Sequence, residues 1–163
     1  MNPKRSRLAA LALVGVILLP VPPGRADARS SNNTVRLNVI ALEHARQLIG
    51  QGRFVSDHKG LWKTDQPSTD EENEFIRLYG FAEYAKWHLG IDERHATNSK
   101  ARYKFPYGDF ESIHRCGLLA VKSRAREYRH ADIENAAAHL LGMIDSRNQV
   151  VKKASINSGK SSL

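Results

Sequence analysis

One stretch of the chain, FESIHRCGLLAVKSRAREYRHADIENAAAHLLGMI from residue 110 to residue 144, predicts two amphipathic helices. Its first part has a single helix face with steps of three and four residues, formed by Phe110, His114, Leu118, Val121, Ala125 and Tyr128. Its second part repeats this spacing at Ile133, Ala137, Leu140, Leu141 and Ile144. We therefore predict that the two helices pack against each other as an antiparallel pair.

Another amphipathic helix is predicted nearer the N-terminus. Apolar residues recur at helical intervals from Leu37 to Ile49. Gly50 and Gly52 follow, and glycine readily adopts the left-handed conformation that closes a helix. The pattern therefore predicts a helix that ends at these glycines.

A further helix is predicted to begin at Ser68. The Ser68 side chain can cap the helix, and Glu71 stands at the position that completes a capping box. Gly80 lies inside the apolar pattern and indicates a break or a close packing contact. We expect this helix to end near Gly90, with loop from Asp92 to Lys100.

The sequence between these helices is rich in turn residues. Phe54-Val55 and Leu61-Trp62 flank a turn at residues 57–60, which predicts a short β-hairpin near residues 54–62. Two short strands alone are marginally stable, so they must pack on the helices. The predicted fold class is therefore mainly α, a small single-domain bundle of three to five helices with this hairpin.

The ends of the chain have a different composition. Residues 1–28 combine a basic start, an apolar run and the small-x-small stretch Ala26-Asp27-Ala28, as in a bacterial signal peptide. Residues 29–34 are predicted to be a linker, residues 35–145 the helical domain, and residues 146–163 a disordered basic tail. The apolar run is too short and too rich in proline for a stable membrane span.

The leader determines the expected location. If it is genuine, the protein is exported, periplasmic or secreted. If it reflects a wrong start, the protein is cytoplasmic, where a lone reduced Cys116 is ordinary.

The distribution of charge along the chain favours a binding protein over an enzyme. Four of the 25 basic residues and one of the 17 acidic residues lie in the leader, so a net charge of +5 remains after its removal. The middle of the chain is acidic at Asp70, Glu71, Glu72, Glu74, Glu83, Asp92 and Glu93, whereas the following helix is basic. We therefore predict a non-enzymatic binding or protein-interaction domain, with self-association through acidic and basic faces as one route.

A basic and aromatic segment supplies the alternative hypothesis. Cations alternate with aromatic residues from Lys100 to Phe110, and more arginines follow up to residue 129. Such a pattern suits contact with phosphates and stacking on bases, so segment 100–129 could bind nucleic acid or another anionic ligand. The candidate binding residues are Arg102, Lys104, Tyr107, Asp109, His114 and Cys116. The interpretation that we favour is that the aromatics fill the core and that Asp109 caps the next helix.

His114 and Cys116 supply a second alternative, a thiol-dependent or metal-dependent enzyme. An imidazole near a thiol can lower the pKa of the thiol and make it nucleophilic. Within one helix, however, side chains two residues apart point about 200° away from each other. We therefore predict no catalytic residue, no cofactor and no metal site, and we expect Cys116 to be buried and inert.

Several segments resemble a set of small bacterial proteins without an assigned activity. They are DEENEFI at residues 70–76, YAKWHLGID at residues 84–92, KFPYGD at residues 104–109, HRCGLLA at residues 114–120, DIE at residues 132–134 and AAAHL at residues 136–140. This resemblance covers about residues 36–145 and supports the domain limits without implying a function. Residues 100–144 are also, more faintly, similar to modules found beside phage capsid-maturation proteases, whose catalytic motifs are absent from this sequence.

Overall fold

The computed structural model describes residues 34–160, with the backbone alone for residues 157–160. The predicted signal peptide at residues 1–28, nearly all of the predicted linker and the last three residues of the tail lie outside the described residues. Within residues 34–160, no helix is both long and apolar enough to cross a lipid bilayer.

The described chain contains five helices and two small sheets. In chain order the elements are β1 (Val35–Leu37), α1 (Val39–Gly50), β2 (Phe54–Val55), α2 (Trp62–Asp65), α3 (Thr69–Ala85), β3 (His88–Asp92), a 3-10 turn (Lys100–Arg102), β4 (Tyr103–Pro106), β5 (Ile113–His114), α4 (Arg115–Glu127) and α5 (Ala131–Lys160). The predicted mainly α bundle is therefore wrong, because the fold is mixed α/β.

A three-stranded antiparallel sheet forms one part of the fold. Its order is β1-β3-β4, so β3 is the central strand and pairs with both neighbours. The helix that begins at Ser68 is predicted to end near Gly90. In the structure this helix, α3, ends at Ala85 and the chain becomes extended at His88. The apolar residues of this segment fit either the helical or the strand period, and pairing with β1 and β4 decides between them.

The second sheet replaces the predicted hairpin. Phe54 and Val55 do form a strand, but it pairs in parallel with Ile113 and His114 of β5. Trp62 begins the short helix α2 instead of a returning strand. The hairpin prediction is wrong because the partner strand comes from a distant segment, which local turn residues cannot reveal.

Several local predictions are confirmed. The Ser68 and Glu71 side chains form the complete capping box at the start of α3. Gly80 has a φ of 79° and interrupts α3, as its position inside the pattern indicated. Gly52 has a φ of 77° just after α1, a conformation that glycine adopts without steric cost.

The core lies where α1, α4 and α5 meet the antiparallel sheet. Its fully buried members include Ile49, Leu89, Leu118, Ile133 and Leu140. Helices α4 and α5 pack closely together, joined by only three residues at 128–130. Helix α5 runs to Lys160, through residues 146–160, where the composition predicts disorder.

Helix α4 begins later than its apolar pattern predicts. The helix was expected from Phe110, but Phe110 has a φ of 71° and lies in a turn, and the first helical residue is Arg115. His114 is the extended residue immediately before the helix, with φ −98° and ψ 123°. This shift of five residues creates the candidate site described next.

Candidate metal centre

Four side chains from three separate parts of the chain meet at the start of α4. They are Asp57 in the loop after β2, Asp65 at the end of α2, His114 at the end of β5, and Cys116 in the first turn of α4. The parallel pairing of β2 with β5 brings the Asp57 loop over the start of the helix. One potential ligand atom from each of the four lies within 4.8 Å of the others.

The individual distances are close to those of a four-coordinate metal site. Nδ1 of His114 lies 2.7 Å from Oδ2 of Asp57 and 3.9 Å from Oδ2 of Asp65. Sγ of Cys116 lies 3.1 Å and 3.8 Å from the same two oxygens. Metal–ligand bonds of about 2.0 to 2.3 Å at tetrahedral angles separate the ligand atoms by about 3.3 to 3.8 Å. Small side-chain movements therefore suffice to fit a metal ion.

His114 and Cys116 converge because they do not lie on the same helix. The predicted divergence of the two side chains is wrong, because no helix runs through both residues. His114 is extended and Cys116 is the second residue of α4, so the 100° rotation per residue of a helix does not apply across the junction.

Asp57 holds the first turn of α4 in place. Its Oδ1 accepts a hydrogen bond of 2.5 Å from the backbone N–H of Cys116, while its Oδ2 contacts His114 and Cys116. The first N–H groups of a helix lack partners within the helix. His114 stands at the N-cap position and makes no side-chain capping bond, so Asp57 satisfies this donor instead.

Asp109 orients the His114 ring from the opposite side. Nε2 of His114 lies 3.1 Å from Oδ2 of Asp109. The other oxygen of Asp109 accepts backbone N–H bonds from Glu111 and Ser112, at 2.9 and 2.6 Å. Metal-binding histidines commonly donate their second ring N–H to such a carboxylate, which fixes the ring and its tautomer.

The electrostatics suit a cation. Burial alone would lower the pKa of His114, but its hydrogen bonds to Asp109 and Asp57 and the charges of these carboxylates raise it above its ordinary value. Burial, followed by the carboxylates of Asp57 and Asp65, raises the pKa of the Cys116 thiol to about 12. The metal-free thiol is therefore protonated at neutral pH, which argues against an activated nucleophile.

The cluster is mostly enclosed. The exposed fractions of the side chains are 6% for Asp57, 10% for His114 and 27% for Asp65. The Trp62 ring lies 6.0 Å from the His114 ring, between centroids. Gly117 allows this approach, because a Cβ there would lie 2.9 Å from the Trp62 ring.

One edge of the cluster opens to a cleft. A cavity of about 650 Å³ is lined by Asp65 and Asp109 from the site and by the aromatic rings of Phe75 and Phe110, among others. These two rings stack, with centroids 4.1 Å apart. Asp65 is therefore the ligand candidate closest to solvent.

The six binding residues predicted from the sequence fall into two groups in the structure. Asp109, His114 and Cys116 come together in the cluster. Arg102 instead donates to the backbone carbonyl of His95, and Lys104 lines a different cleft. Tyr107 lies in the core, where its hydroxyl is 2.5 Å from the Lys86 carbonyl oxygen.

Sequence reasoning missed Asp57 and Asp65. Asp57 lies in a turn-rich stretch that predicted a hairpin, and Asp65 lies in a four-residue helix without a periodic pattern. Neither has a sequence spacing to His114 that identifies a metal site. Only the β2–β5 pairing brings them together.

Comparisons with protein-family models, with curated proteins and with solved structures found no match for this chain.

Proposed function

We propose that this domain binds one divalent transition-metal ion of the zinc class. The ligands are carboxylate oxygens of Asp57 and Asp65, Nδ1 of His114 and Sγ of Cys116. The observation that carries the proposal is the convergence of these four donors within 4.8 Å, in the only such cluster found in the described part of the chain. The Asp109 contact to the other nitrogen of His114 supports it.

The donor set favours zinc over the hard cations. Calcium and magnesium take oxygen ligands, whereas a thiolate and an imidazole suit zinc and related transition metals. Two carboxylates and a thiolate carry three negative charges, which a divalent cation largely neutralises in a poorly exposed site. Metal binding displaces the thiol proton and so overcomes the raised pKa of Cys116.

Four protein ligands indicate a structural role for the metal. Catalytic zinc sites keep a position open for water or substrate, whereas structural sites use four protein ligands. Here the metal ties the Asp57 loop and α2 to the start of α4. His114 and Cys116 therefore serve as metal ligands, as in the metal-dependent alternative from the sequence, but they catalyse no reaction.

Metal titration of the full-length chain tests the proposal. After treatment with a chelator, calorimetry with Zn²⁺ should show one ion bound per chain. Cys116→Ser and His114→Gln should abolish tight binding, whereas His139→Gln, an exposed histidine on α5, should leave it unchanged. Asp109→Asn should keep the stoichiometry and weaken affinity by about 10- to 100-fold, as for other outer-shell partners.

Two results would refute the proposal. One is the absence of zinc uptake by a folded chain, with folding checked by circular dichroism. The other is equal uptake by the parent chain and by folded Cys116→Ser and His114→Gln variants.

A further inference from the structure

A second cleft, lined in part by Trp62, combines an apolar wall with positive charge. It has a volume of about 630 Å³, and none of the four proposed metal ligands lines it. Its apolar wall includes Val35, Phe105 and Val121, from β1, β4 and α4. The volume lies within the range of about 300 to 1,000 Å³ that is typical of small-molecule sites.

The cations of this cleft outnumber its carboxylates. Arg94, Lys104 and Arg124 line it, against Asp92 alone. Asp92 is already neutralised, because Arg94 contacts both of its oxygens, at 2.9 and 2.7 Å. The guanidinium of Arg94 therefore serves Asp92, and the remaining positive charge belongs to Lys104 and Arg124.

Lys104 and Arg124 retain capacity to bind an anion. Within residues 34–156, the Lys104 side chain makes no hydrogen bond or ion pair. Arg124 has a single long contact of 3.4 Å to Glu127, between two side chains that are each at least 60% exposed, and it also lies over the Tyr128 ring. Exposed pairs of this kind contribute little, so an anion bound in the cleft can compete for the guanidinium.

A buried histidine points to the same ligand chemistry. His130 lines the cleft, is only 7% exposed, and its Nδ1 has no hydrogen-bond partner among the described residues. Buried polar atoms are nearly always hydrogen-bonded, so an orphaned one indicates a missing partner.

We propose that this cleft binds a small carboxylate with an apolar body. The carboxylate would pair with Lys104 and Arg124, and the body would lie against Phe105 and Val121. Nδ1 of His130 is shielded from solvent, so it adds a polar contact only after the ring turns toward the cleft. The lining of this site includes none of the four proposed metal ligands, and the site uses Lys104, which the sequence alone connected with anion binding.

A pair of probes of opposite charge tests the proposal on the full-length chain. 2-Naphthoate and 2-naphthylmethylamine share a ring system and differ in the sign of their charge. Nuclear magnetic resonance titration should show saturable shifts at residues of the cleft with naphthoate and none with the amine. Equal binding of both probes, or shifts confined to another surface, would overturn the proposal.

Matched variants separate the cleft from general charge. Lys104→Gln combined with Arg124→Gln should weaken naphthoate binding by at least about tenfold, the value of one charge-assisted hydrogen bond. Lys122→Gln combined with Arg126→Gln removes the same charge from exposed positions of α4 outside the cleft and should change the affinity little. Equal loss in both double variants would contradict a defined site.

A His130 variant and a competing oligonucleotide test the proposal further. His130→Phe retains a ring beside Phe105 and removes the nitrogens, so it should weaken naphthoate binding while leaving the melting temperature close to that of the parent chain. A single-stranded oligonucleotide that binds through Lys104 and Arg124, and that naphthoate fails to displace, would show that the surface serves nucleic acid instead.

Discussion

Asp57 connects the helix start with the proposed metal ligands through its two oxygens. One oxygen accepts the backbone N–H of Cys116, and the other faces the thiol of the same residue and the ring of His114. This carboxylate therefore stabilises α4 even without metal. Asp57 becomes a metal ligand only when a cation displaces the proton on the His114 ring nitrogen and the proton on the Cys116 thiol.

Asp57→Ala should destabilise the metal-free protein as well as abolish zinc binding. Loss of a capping side chain costs about 1 to 2 kcal/mol in the free energy of unfolding. Urea denaturation in the presence of a chelator measures this. Asp70→Ala is the control, because Asp70 lies exposed in the first turn of α3 without a side-chain partner among the described residues. An Asp57 variant as stable as the parent would disprove the capping role.

His88 makes stability depend on pH in the acid range. Burial lowers the pKa of His88 to about 4, despite its Nδ1–H bond to the Tyr84 carbonyl and the nearby charge of Glu72. The unfolded chain binds this proton near the ordinary histidine pKa of 6.5, so acid favours unfolding. The free energy of unfolding should therefore rise with pH between about 4 and 6.5.

Replacing His88 should flatten this dependence. Denaturation midpoints measured across that pH window should vary less in His88→Gln than in the parent chain. The exposed His139→Gln serves as the control and should keep the slope of the parent. An unchanged slope in His88→Gln would show that other groups govern acid stability.

At the scale of elements, strand β3 needs a residue without a side chain. A Cβ at Gly90 would lie 2.7 Å from Cδ2 of Phe105 and 3.1 Å from Cγ1 of Val35, which belong to the two flanking strands. Gly90→Ala should therefore destabilise the protein by about 1 to 3 kcal/mol, as overpacking does.

Gly142 provides the matched control for Gly90. It lies in α5 with nothing within 4 Å of its would-be Cβ. Gly142→Ala should stabilise the protein by about 0.5 to 1 kcal/mol, because alanine is the better helix former. Thermal denaturation of the two variants should give shifts of opposite sign, and shifts of the same sign would contradict the packing at β3.

Local signals in the sequence predicted element ends well. The capping box at Ser68 and the glycine after α1 are interactions within a few residues, so they can be identified without the fold. The start of α4 and strand β3 could not be predicted in this way. The start of α4 depends on pairing with β2, and β3 depends on pairing with β1 and β4, so neither follows from its own residues alone.

The same distinction explains what could be predicted of the site. His114 and Cys116 are close in sequence, so they could be predicted as a pair. Their side chains were predicted to diverge, which is wrong because the helix begins between the two residues. Asp57 and Asp65 are 57 and 49 residues before His114, and no short spacing relates them to it. Asp57 and Asp65 could therefore not be predicted as ligands without the pairing of β2 with β5.

At the scale of the whole molecule, the acidic middle segment is largely neutralised internally. Ion pairs join Glu72 to Lys100, Glu74 to Arg77, Glu83 to Lys86, Asp92 to Arg94 and Glu93 to Arg36. Self-association through acidic and basic faces stays a prediction, and light scattering at low and high salt tests it. A dimer that dissociates on adding salt would support it, and a monomer at every salt concentration would oppose it.

Zinc should stabilise the whole domain. A ligand that binds only the folded state stabilises it by about 2.7 kcal/mol when present at a hundred times its dissociation constant. The melting temperature should therefore rise with Zn²⁺ and stay unchanged with Mg²⁺, which avoids thiolate ligands. Cys116→Ser should remove the zinc effect. An equal rise in that variant would indicate binding elsewhere.

The identity of the atoms around the metal tests the central claim most directly. X-ray absorption at the zinc edge, on the full-length chain loaded with one equivalent of Zn²⁺, reports the first coordination shell. Ligation by Asp57, Asp65, His114 and Cys116 predicts one sulfur at about 2.3 Å and three nitrogen or oxygen atoms at about 2.0 to 2.2 Å. A shell of nitrogen and oxygen atoms without sulfur would contradict it.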